Sequence, residues 1–236
     1  MAGSVVLPQV RAGFTKAEST AHDRSSAAQR VAGALLMLPG IGLVMGWLTA
    51  EALYPQTYST HANSLSHLGA TEPPNSIALQ PSATIFDATM IVAGLMLLGA
   101  AYFTFRAFQA KRVSIPIAVL GIGAVGVGIF ALNVNPTMHT VFALLAFTSG
   151  GVTLILASTI APRFFRYLWM TLGVAALVAI TLGVFFAQWG PIAALGLGGI
   201  ERWNAYPIVL WLIAFGSLLL SGEPIKANST KPLRAF

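Results

Sequence analysis

Six long apolar runs alternate with shorter, more polar segments along the chain. A helix needs about 20 apolar residues to cross a hydrocarbon layer about 30 Å thick, and each run comes close to that length or exceeds it. Membrane β-strands instead alternate apolar and polar positions over about 10 residues. The pattern therefore predicts an all-α fold, a polytopic integral membrane protein with one six-transmembrane-helix bundle over residues 31–222. The predicted spans are residues 31–53, 85–108, 113–132, 139–160, 167–189 and 203–220.

Polar segments lie on both sides of this bundle, and one long loop separates its first two spans. Residues 1–30 are predicted to be a mobile tail because they are rich in Ser, Ala and charged residues, and residues 223–236 form a second tail of similar composition. Residues 54–84 form a loop that is too long for a plain connector. Its sequence predicts a short helical piece followed by a Pro-rich turn, and we expect the loop to fold over the helix ends.

Composition narrows the class of protein further. Of the 236 residues, 56% are hydrophobic and only 8% are charged, against about 25% charged residues in soluble domains. The chain therefore lacks the polar surface of a soluble enzyme or a DNA-binding domain. Its net charge of +6 comes from basic residues scattered among loops, so nucleic acid is not an expected partner. The absence of Cys excludes disulfides, thiolate metal sites and a Cys nucleophile.

Basic residues collect at one end of the predicted bundle. Of the 13 Lys and Arg residues, only Arg202 falls on the side opposite the two termini. The positive-inside rule places the other basic residues in the cytoplasm. The sequence therefore predicts a multi-pass protein of the plasma membrane, with both termini cytoplasmic and the long 54–84 loop on the outer side.

The interior of the spans carries little chemistry. The central residues of all six contain no Asp, Glu, Lys, Arg or His, whereas ion-coupled transporters place such groups near the membrane midplane, so a coupled pump is disfavoured. Residues 121–126 match the G-x-G-x-x-G pattern, but inside an apolar span these glycines favour close helix packing over dinucleotide binding. No cofactor is expected. Trp47 and Trp169 fall near span ends, where aromatic side chains commonly lie at the membrane surface.

Three of the four histidines fall on the predicted outer side and suggest a metal site. A metal ion could be bound by His61, His67 and His139 together with Asp87. Three histidine ligands and one open position are typical of a catalytic zinc, whose bound water becomes nucleophilic near neutral pH. The spacing of His61 and His67 does not place them on one helical face, and the sequence has no HExxH motif. We therefore keep the three histidines as an alternative hypothesis and expect no metal in the purified protein.

Polar residues at the predicted outer ends of the spans form the main candidate site. Asp87 opens the second span, His139 opens the fourth, and Glu201 and Arg202 precede the sixth, so all four share one membrane depth. Polar groups at that depth turn away from lipid, and we expect them to meet in one pocket beneath the first outer loop. The candidate pocket residues are Asn63, Ser66, Asp87, His139, Glu201 and Arg202.

Two of these residues have structural alternatives. Asp87 would cap the first turn of its helix if it accepts hydrogen bonds from the unpaired N–H groups there. Arg202 suits the phosphate of an anionic lipid head group, or an internal pair with Glu201 or Asp87 that only holds the helix ends together. In the pocket hypothesis, His139 and Asp87 orient the head group or exchange protons with it.

Four short motifs carry a resemblance to a known family. They are residues 63–69 (NSLSHLG), residues 86–87 (FD), residues 135–139 (NPTMH) and residues 199–202 (GIER). Over about residues 30–222 the chain resembles the prokaryotic membrane-protein family called domain of unknown function 998. More loosely, it is similar to the six-helix group that includes GPI-lipid remodelling and autophagy-modulator proteins. The resemblance implies a six-helix bundle and lipid-related work at a membrane face.

We therefore predict a membrane protein whose outer-facing polar pocket binds or handles a lipid or small amphiphile, with membrane lipids as its partners. One alternative is a non-catalytic subunit that packs against another membrane protein through its Gly-rich helix faces. A second alternative is a metal-dependent hydrolase at the outer leaflet. The residues specify no reaction, so whether the protein is an enzyme is left open.

Overall fold

The fold was analysed in a computed structural model that describes residues 8–222, with side chains described from residue 26 onwards. The described residues form α-helices and one short 3₁₀ helix, with no β-strand among them, which confirms the all-α class. The α-helices are α1 (Pro8–Ala52), α2 (Ser82–Phe108), α3 (Lys111–Ile129), α4 (Pro136–Ser158), α5 (Arg163–Phe185), α6 (Gly190–Ala193) and α7 (Gly196–Leu220). The 3₁₀ helix is Leu65–Leu68.

Six of these helices are long and apolar enough to cross a membrane, in agreement with the sequence. In α1 the candidate span is Ser26–Ala52, and the helix itself starts at Pro8, inside the segment predicted as a mobile tail. Residues 1–7 and 223–236 belong to the two predicted tails and lie outside the described residues. The mobility of the tails and their cytoplasmic location stay predictions.

The largest boundary difference concerns the last span. Helix α7 starts at Gly196, whereas the sequence predicts the sixth span from residue 203. Glu201 and Arg202 therefore lie within the first two turns of a helix and not in the loop before it. This difference decides where the two side chains point, because each step along a helix rotates the side chain by about 100°.

The six spans pack in a closed ring that follows chain order. Each span contacts the next one, and α7 closes the ring by packing against both α5 and α1. Leu36, Leu97, Ile117, Leu154 and Leu212 are fully buried in the centre of the bundle. Every span thus presents one side to its neighbours and the other to the surroundings.

Glycines set the closest approaches between neighbouring spans. A Cβ atom at Gly123 of α3 would lie 2.7 Å from the backbone nitrogen of Ala146 in α4, so these two backbones touch. The same holds for α1 and α7, where a Cβ at Gly33 would lie 2.7 Å from the carbonyl oxygen of Gly216. Gly42 differs, since a Cβ there would meet no atom within 4 Å. Small residues let spans associate by close van der Waals packing in a bilayer.

Two tryptophan side chains are buried inside the bundle, whereas the sequence predicts them at the membrane surface. Trp169 is 1% exposed and packs against Trp211 and Phe215, with ring centroids 6.3 Å and 5.1 Å away. Trp47 is also buried. Both were expected at the membrane surface. Their positions near span ends fit that role, but in the ring the side of the helix that carries them faces a neighbouring span.

The long loop, residues 53–81, covers one end of the bundle, which we call the loop end. Leu65 and Leu68 of its 3₁₀ helix are buried against the bundle. The hydroxyl of Ser82 donates a hydrogen bond of 2.9 Å to the carbonyl oxygen of Leu68 and ties the loop to the start of α2. The predicted helical piece over the helix ends is therefore present in the structure.

The side of the membrane on which the loop end lies can be tested directly. The helix ends at the opposite end of the bundle carry the basic residues Arg106, Lys111, Arg112, Arg163 and Arg166. By the positive-inside rule we expect a reporter fused after Phe236 to be active in the cytoplasm, and one inserted between Pro73 and Pro74 to be active only outside. An extracytoplasmic signal from the C-terminal fusion would show that the orientation is reversed.

Candidate functional site

A cavity of about 540 Å³ opens between α4, α5 and α7 at the loop end. Its walls are mostly apolar and include Ala143, Leu144, Phe147, Ile180 and Val184. The polar residues in its lining are Ser64, Ser66, Glu72, His139, Thr140, Gln188, Glu201 and Asn204. Small-molecule sites in proteins have this size and this division between apolar walls and a few polar groups.

The cavity exists because α4 and α5 touch at one level and diverge at another. A Cβ atom at Gly173 of α5 would lie 2.8 Å from the carbonyl oxygen of Gly151 in α4, so the helices are in backbone contact there. Nearer the loop end, Leu144 of α4 and Val184 of α5 line opposite walls of the cavity. The two helices therefore form a wedge that opens toward the loop end.

Three polar side chains from three different elements meet in this cavity. The hydroxyl of Ser66, in the 3₁₀ helix, lies 3.0 Å from Nε2 of His139 in α4. The same hydroxyl lies 3.0 Å from Oε1 of Glu201 in α7 and is placed to donate to it. On its other side, Nδ1 of His139 lies 2.9 Å from the carbonyl oxygen of Phe130. His139 is 4% exposed, so this chain of hydrogen bonds is well shielded from water.

Glu201 also holds the loop in place. Its Oε2 accepts hydrogen bonds from the backbone N–H of Leu65 at 2.5 Å and of Ser66 at 3.5 Å. Both N–H groups belong to the first turn of the 3₁₀ helix, where backbone donors lack partners within the helix. The carboxyl group of Glu201 thus satisfies the start of the 3₁₀ helix and positions Ser66 beside His139.

A second local motif fixes the same turn. The hydroxyl of Ser64 accepts from the backbone N–H of His67 at 3.3 Å, and the backbone N–H of Ser64 donates to Nδ1 of His67 at 3.0 Å. This reciprocal pair is a capping box in which His67 takes the position usually held by Glu or Gln. Since Nδ1 of His67 accepts a hydrogen bond, that atom carries no proton.

Burial lowers the pKa of His67, and nearby Glu72 partly opposes this effect. The carboxyl oxygen of Glu72 lies 3.7 Å from Nδ1 of His67, within the usual limit for an ion pair. The capping box argues against an ion pair at that atom, because the lone pair of Nδ1 is already used by the N–H of Ser64. We therefore treat His67 as a neutral capping residue.

Arg202 follows Glu201 directly but faces the other side of α7. Its Nη1 lies 3.0 Å, 3.0 Å and 3.1 Å from the carbonyl oxygens of Thr60, Asn63 and Gly198. Its Nη2 donates to the hydroxyl of Tyr58 at 2.9 Å and lies 3.7 Å from Oε2 of Glu51. Arg202 is 8% exposed, and its terminal nitrogens are committed to the loop and to α1.

Tyr58 completes the contact between Arg202 and the loop. Its hydroxyl donates to the carbonyl oxygen of Ser64 at 2.8 Å while accepting from Arg202. Burial raises the pKa of Tyr58 to about 12, although the hydrogen bond from Arg202 acts in the opposite direction. The phenol is therefore neutral at physiological pH and links Arg202 to the segment that carries Ser66.

The structure divides the single pocket expected from the sequence. Ser66, His139 and Glu201 line the cavity between α4, α5 and α7, whereas Arg202 lines a separate cavity of about 480 Å³ with Thr60 and His61. Glu201 and Arg202 are neighbours in one helix and point about 100° apart, and here each of them faces a different cavity.

Asp87 and Asn63 also lie outside the cavity that His139 lines. Asp87 lies five residues into α2, beyond the first turn, and makes no capping bond there, since the residue at the N-cap position is Pro81. One carboxyl oxygen of Asp87 is buried without a hydrogen-bond partner. Asn63 is a loop residue whose side-chain oxygen accepts from the backbone N–H of Ser59 at 2.9 Å.

The three-histidine metal site is not assembled. Nε2 of His61 lies 3.1 Å from the carbonyl oxygen of Ala194, His67 is part of the capping box, and His139 contacts Ser66. Within the part of the chain that the structure describes, no group of three or more His, Cys, Asp or Glu side chains could hold a metal ion. In the structure each of the three histidines belongs to a different local hydrogen-bond arrangement.

Asn204 is one of the polar cavity residues that the sequence did not single out. It lies one turn after Glu201 on α7 and is 5% exposed, with its side-chain oxygen unpartnered. Residues three apart on a helix share a face, so placing the start of α7 correctly would have grouped Asn204 with Glu201. The α5 wall was also missed, because its residues are ordinary apolar side chains.

Comparison with known proteins identifies one family. The family model described as "Protein of unknown function (DUF998)" matches residues 31–218, which include all six spans almost completely. No curated protein matches the chain. No solved structure matches it either.

Proposed function

Since this chain belongs to the DUF998 family of unknown function, we propose that it is a membrane protein that binds a lipid or small amphiphile in the cavity between α4, α5 and α7. The observation that carries the proposal is the make-up of this cavity: apolar walls along its length and a shielded polar cluster of Ser66, His139 and Glu201. An apolar chain fits the walls, and a polar head group fits the cluster.

Access from the bilayer is consistent with the exposure of the wall residues. Leu144, Val184 and Leu197 line the cavity yet are 38%, 54% and 49% exposed, so each also faces the surroundings of the bundle. In a membrane those surroundings are acyl chains, and a chain can pass sideways between α4 and α5. If the termini are cytoplasmic, as the basic residues predict, the cavity opens to the outer leaflet of the plasma membrane.

The polar cluster supplies the selectivity in this proposal. A chain that moves from the bilayer into the cavity exchanges one apolar environment for another, so its burial contributes little free energy. Hydrogen bonds to the head group are different, because polar groups at this depth have few other partners. The head group therefore decides which amphiphile is bound.

The test is a cavity-filling variant with a matched control. Four compounds with twelve carbons each (dodecylamine, dodecanol, dodecanoate and dodecyl phosphate), which we call the dodecyl series, are titrated against protein in nanodiscs of zwitterionic lipid. We expect at least one to bind wild type saturably, and Ala143→Trp to weaken that binding at least tenfold because the indole fills the cavity. Leu145→Trp places the same side chain two residues further along α4, about 200° round the helix and outside the cavity lining, and should bind as wild type does.

Two results would contradict the proposal. Absence of saturable binding for all four compounds would remove the cavity as an amphiphile site. Equal binding by Ala143→Trp and wild type, with both proteins monodisperse, would place the bound molecule elsewhere on the bundle.

A further inference from the structure

We infer that the polar part of the cavity selects amphiphiles whose head group is a protonated amine. This inference rests on the proposed function and names the class of ligand that the site takes. Three separate observations support it: the charges that line the cavity, the count of donors and acceptors in the cluster, and the unpartnered oxygen of Asn204.

The charged groups around the cavity are acidic. Glu201 from α7 and Glu72 from the loop line it, His139 comes from α4, and no Lys or Arg is among its described lining residues. Arg202 is the nearest basic residue in sequence, but it lines a different cavity and its Nη atoms bond to the loop. A phosphate or carboxylate head group would therefore meet carboxyl groups and no partner cation.

The N-terminus of α4 does not make the cavity favourable for an anion. A helix N-terminus favours anions through its unpaired N–H groups. In α4 the side chain of Asn135 already caps this end and accepts from the N–H of Met138 at 3.0 Å, and Pro136 contributes no N–H. Fewer backbone N–H groups are therefore left at this helix end to donate hydrogen bonds to an anion.

The cluster itself is short of one hydrogen-bond donor. The carbonyl oxygen of Phe130 can only accept, so Nδ1 of His139 carries a proton, and in the neutral imidazole Nε2 is then an acceptor. Ser66 has one hydroxyl proton but lies 3.0 Å from two acceptors, Nε2 of His139 and Oε1 of Glu201. With Glu201 ionised, one of these two contacts lacks a proton, and a further donor in the site would supply it.

The side-chain oxygen of Asn204 is a further acceptor that has no donor partner. Its side-chain oxygen is buried and has no hydrogen-bond partner, and the residue lines the same cavity one turn below Glu201. An unpaired buried polar atom is unfavourable, so a ligand that donates a hydrogen bond to it is favoured. An ammonium group brings three N–H donors, no acceptor and a positive charge. An alcohol brings one donor, while an ionised carboxylate brings none.

The dodecyl series measures this preference directly. At pH 7 we expect wild type to bind dodecylamine at least tenfold more tightly than dodecanol, and to bind dodecanoate and dodecyl phosphate more weakly than dodecanol. Binding to Ala143→Trp is subtracted to correct for partition of each compound into the nanodisc. Tightest binding by the phosphate or the carboxylate would overturn the inference, and so would equal binding of all four.

Two variants of cavity residues test which side chains cause the preference for the amine. Glu201→Gln should bring the affinities for amine and alcohol within about threefold of each other, while Glu51→Gln, on the Arg202 side of α7, should leave the tenfold preference intact. Asn204→Leu should weaken the amine severalfold without touching the 3₁₀ helix, which keeps the test decisive if Glu201→Gln is unstable. An amine preference that survives in both cavity variants contradicts the inference. Absence of binding by every compound contradicts instead the proposed function.

Discussion

Arg202→Ala is expected to lower the free energy of unfolding by about 3–5 kcal/mol, the usual cost of removing one partner from a buried charged group. In the wild type, one guanidinium satisfies carbonyl oxygens of Thr60 and Asn63 in the loop and the hydroxyl of Tyr58. Without it these buried acceptors lose their donor, and the loop loses its attachment on one side of α7. Thermal unfolding in detergent and protease cleavage within residues 53–81 measure the two effects.

Arg106→Ala is the matched control for this variant. Arg106 also donates to a tyrosine hydroxyl, that of Tyr102, at 2.8 Å. The Cζ atom of each arginine lies 5.7 Å from the ring centroid of its own tyrosine partner, Tyr102 for Arg106 and Tyr58 for Arg202. The Arg106 contact is exposed, so its loss should change stability by less than about 1 kcal/mol. Similar losses for the two variants would show that Arg202 does not hold the loop.

Gly123→Leu is expected to destabilise the bundle by about 3 kcal/mol through overpacking. Even a Cβ atom at this position would lie within 3 Å of the nitrogen, Cα and Cβ of Ala146, so the backbones of α3 and α4 must move apart. Relief by a rotamer change is not open, because two of these three atoms belong to the backbone. The melting temperature in detergent should fall well below that of wild type.

Gly42→Leu makes the same substitution where space is free. Gly42 lies within the first span, and a Cβ there would meet no atom within 4 Å. Its leucine would face the surroundings of the bundle, and the melting temperature should stay close to that of wild type. Equal effects at both positions would mean that the cost comes from loss of glycine itself and not from the contact between α3 and α4.

Hydrophobic pattern predicts most of the fold here because a bilayer imposes one rule on every span. The six apolar runs, the all-α class and the family all follow from residues that are visible without a structure. Which side chains are buried inside the ring is harder to predict from the sequence, since lipid-facing and core-facing positions are both apolar. Trp169 illustrates this: its sequence neighbourhood is that of a surface aromatic, yet the side chain is 1% exposed.

The candidate site was predicted in part for a similar reason. Membrane depth grouped His139 with Glu201, and the loop predicted above them supplied Ser66. In the structure the hydroxyl of Ser66 lies within hydrogen-bond distance of both side chains. Depth alone gives no rotation about the helix axis, so it also grouped Arg202 and Asp87 with them. Rotation depends on where α7 begins, and the Gly-rich sequence before residue 203 hid that start.

The opposite directions of Glu201 and Arg202 limit how this segment can vary in length. Glu201 holds the loop at Leu65, and Arg202 holds it at Thr60 and Asn63, so the loop is attached on both sides of the first turns of α7. One residue inserted directly after Arg202 would turn both side chains by about 100° relative to the rest of α7 and break both attachments together. Substitution at Leu197, which is 49% exposed, changes neither, so this segment tolerates new side chains far better than insertions or deletions.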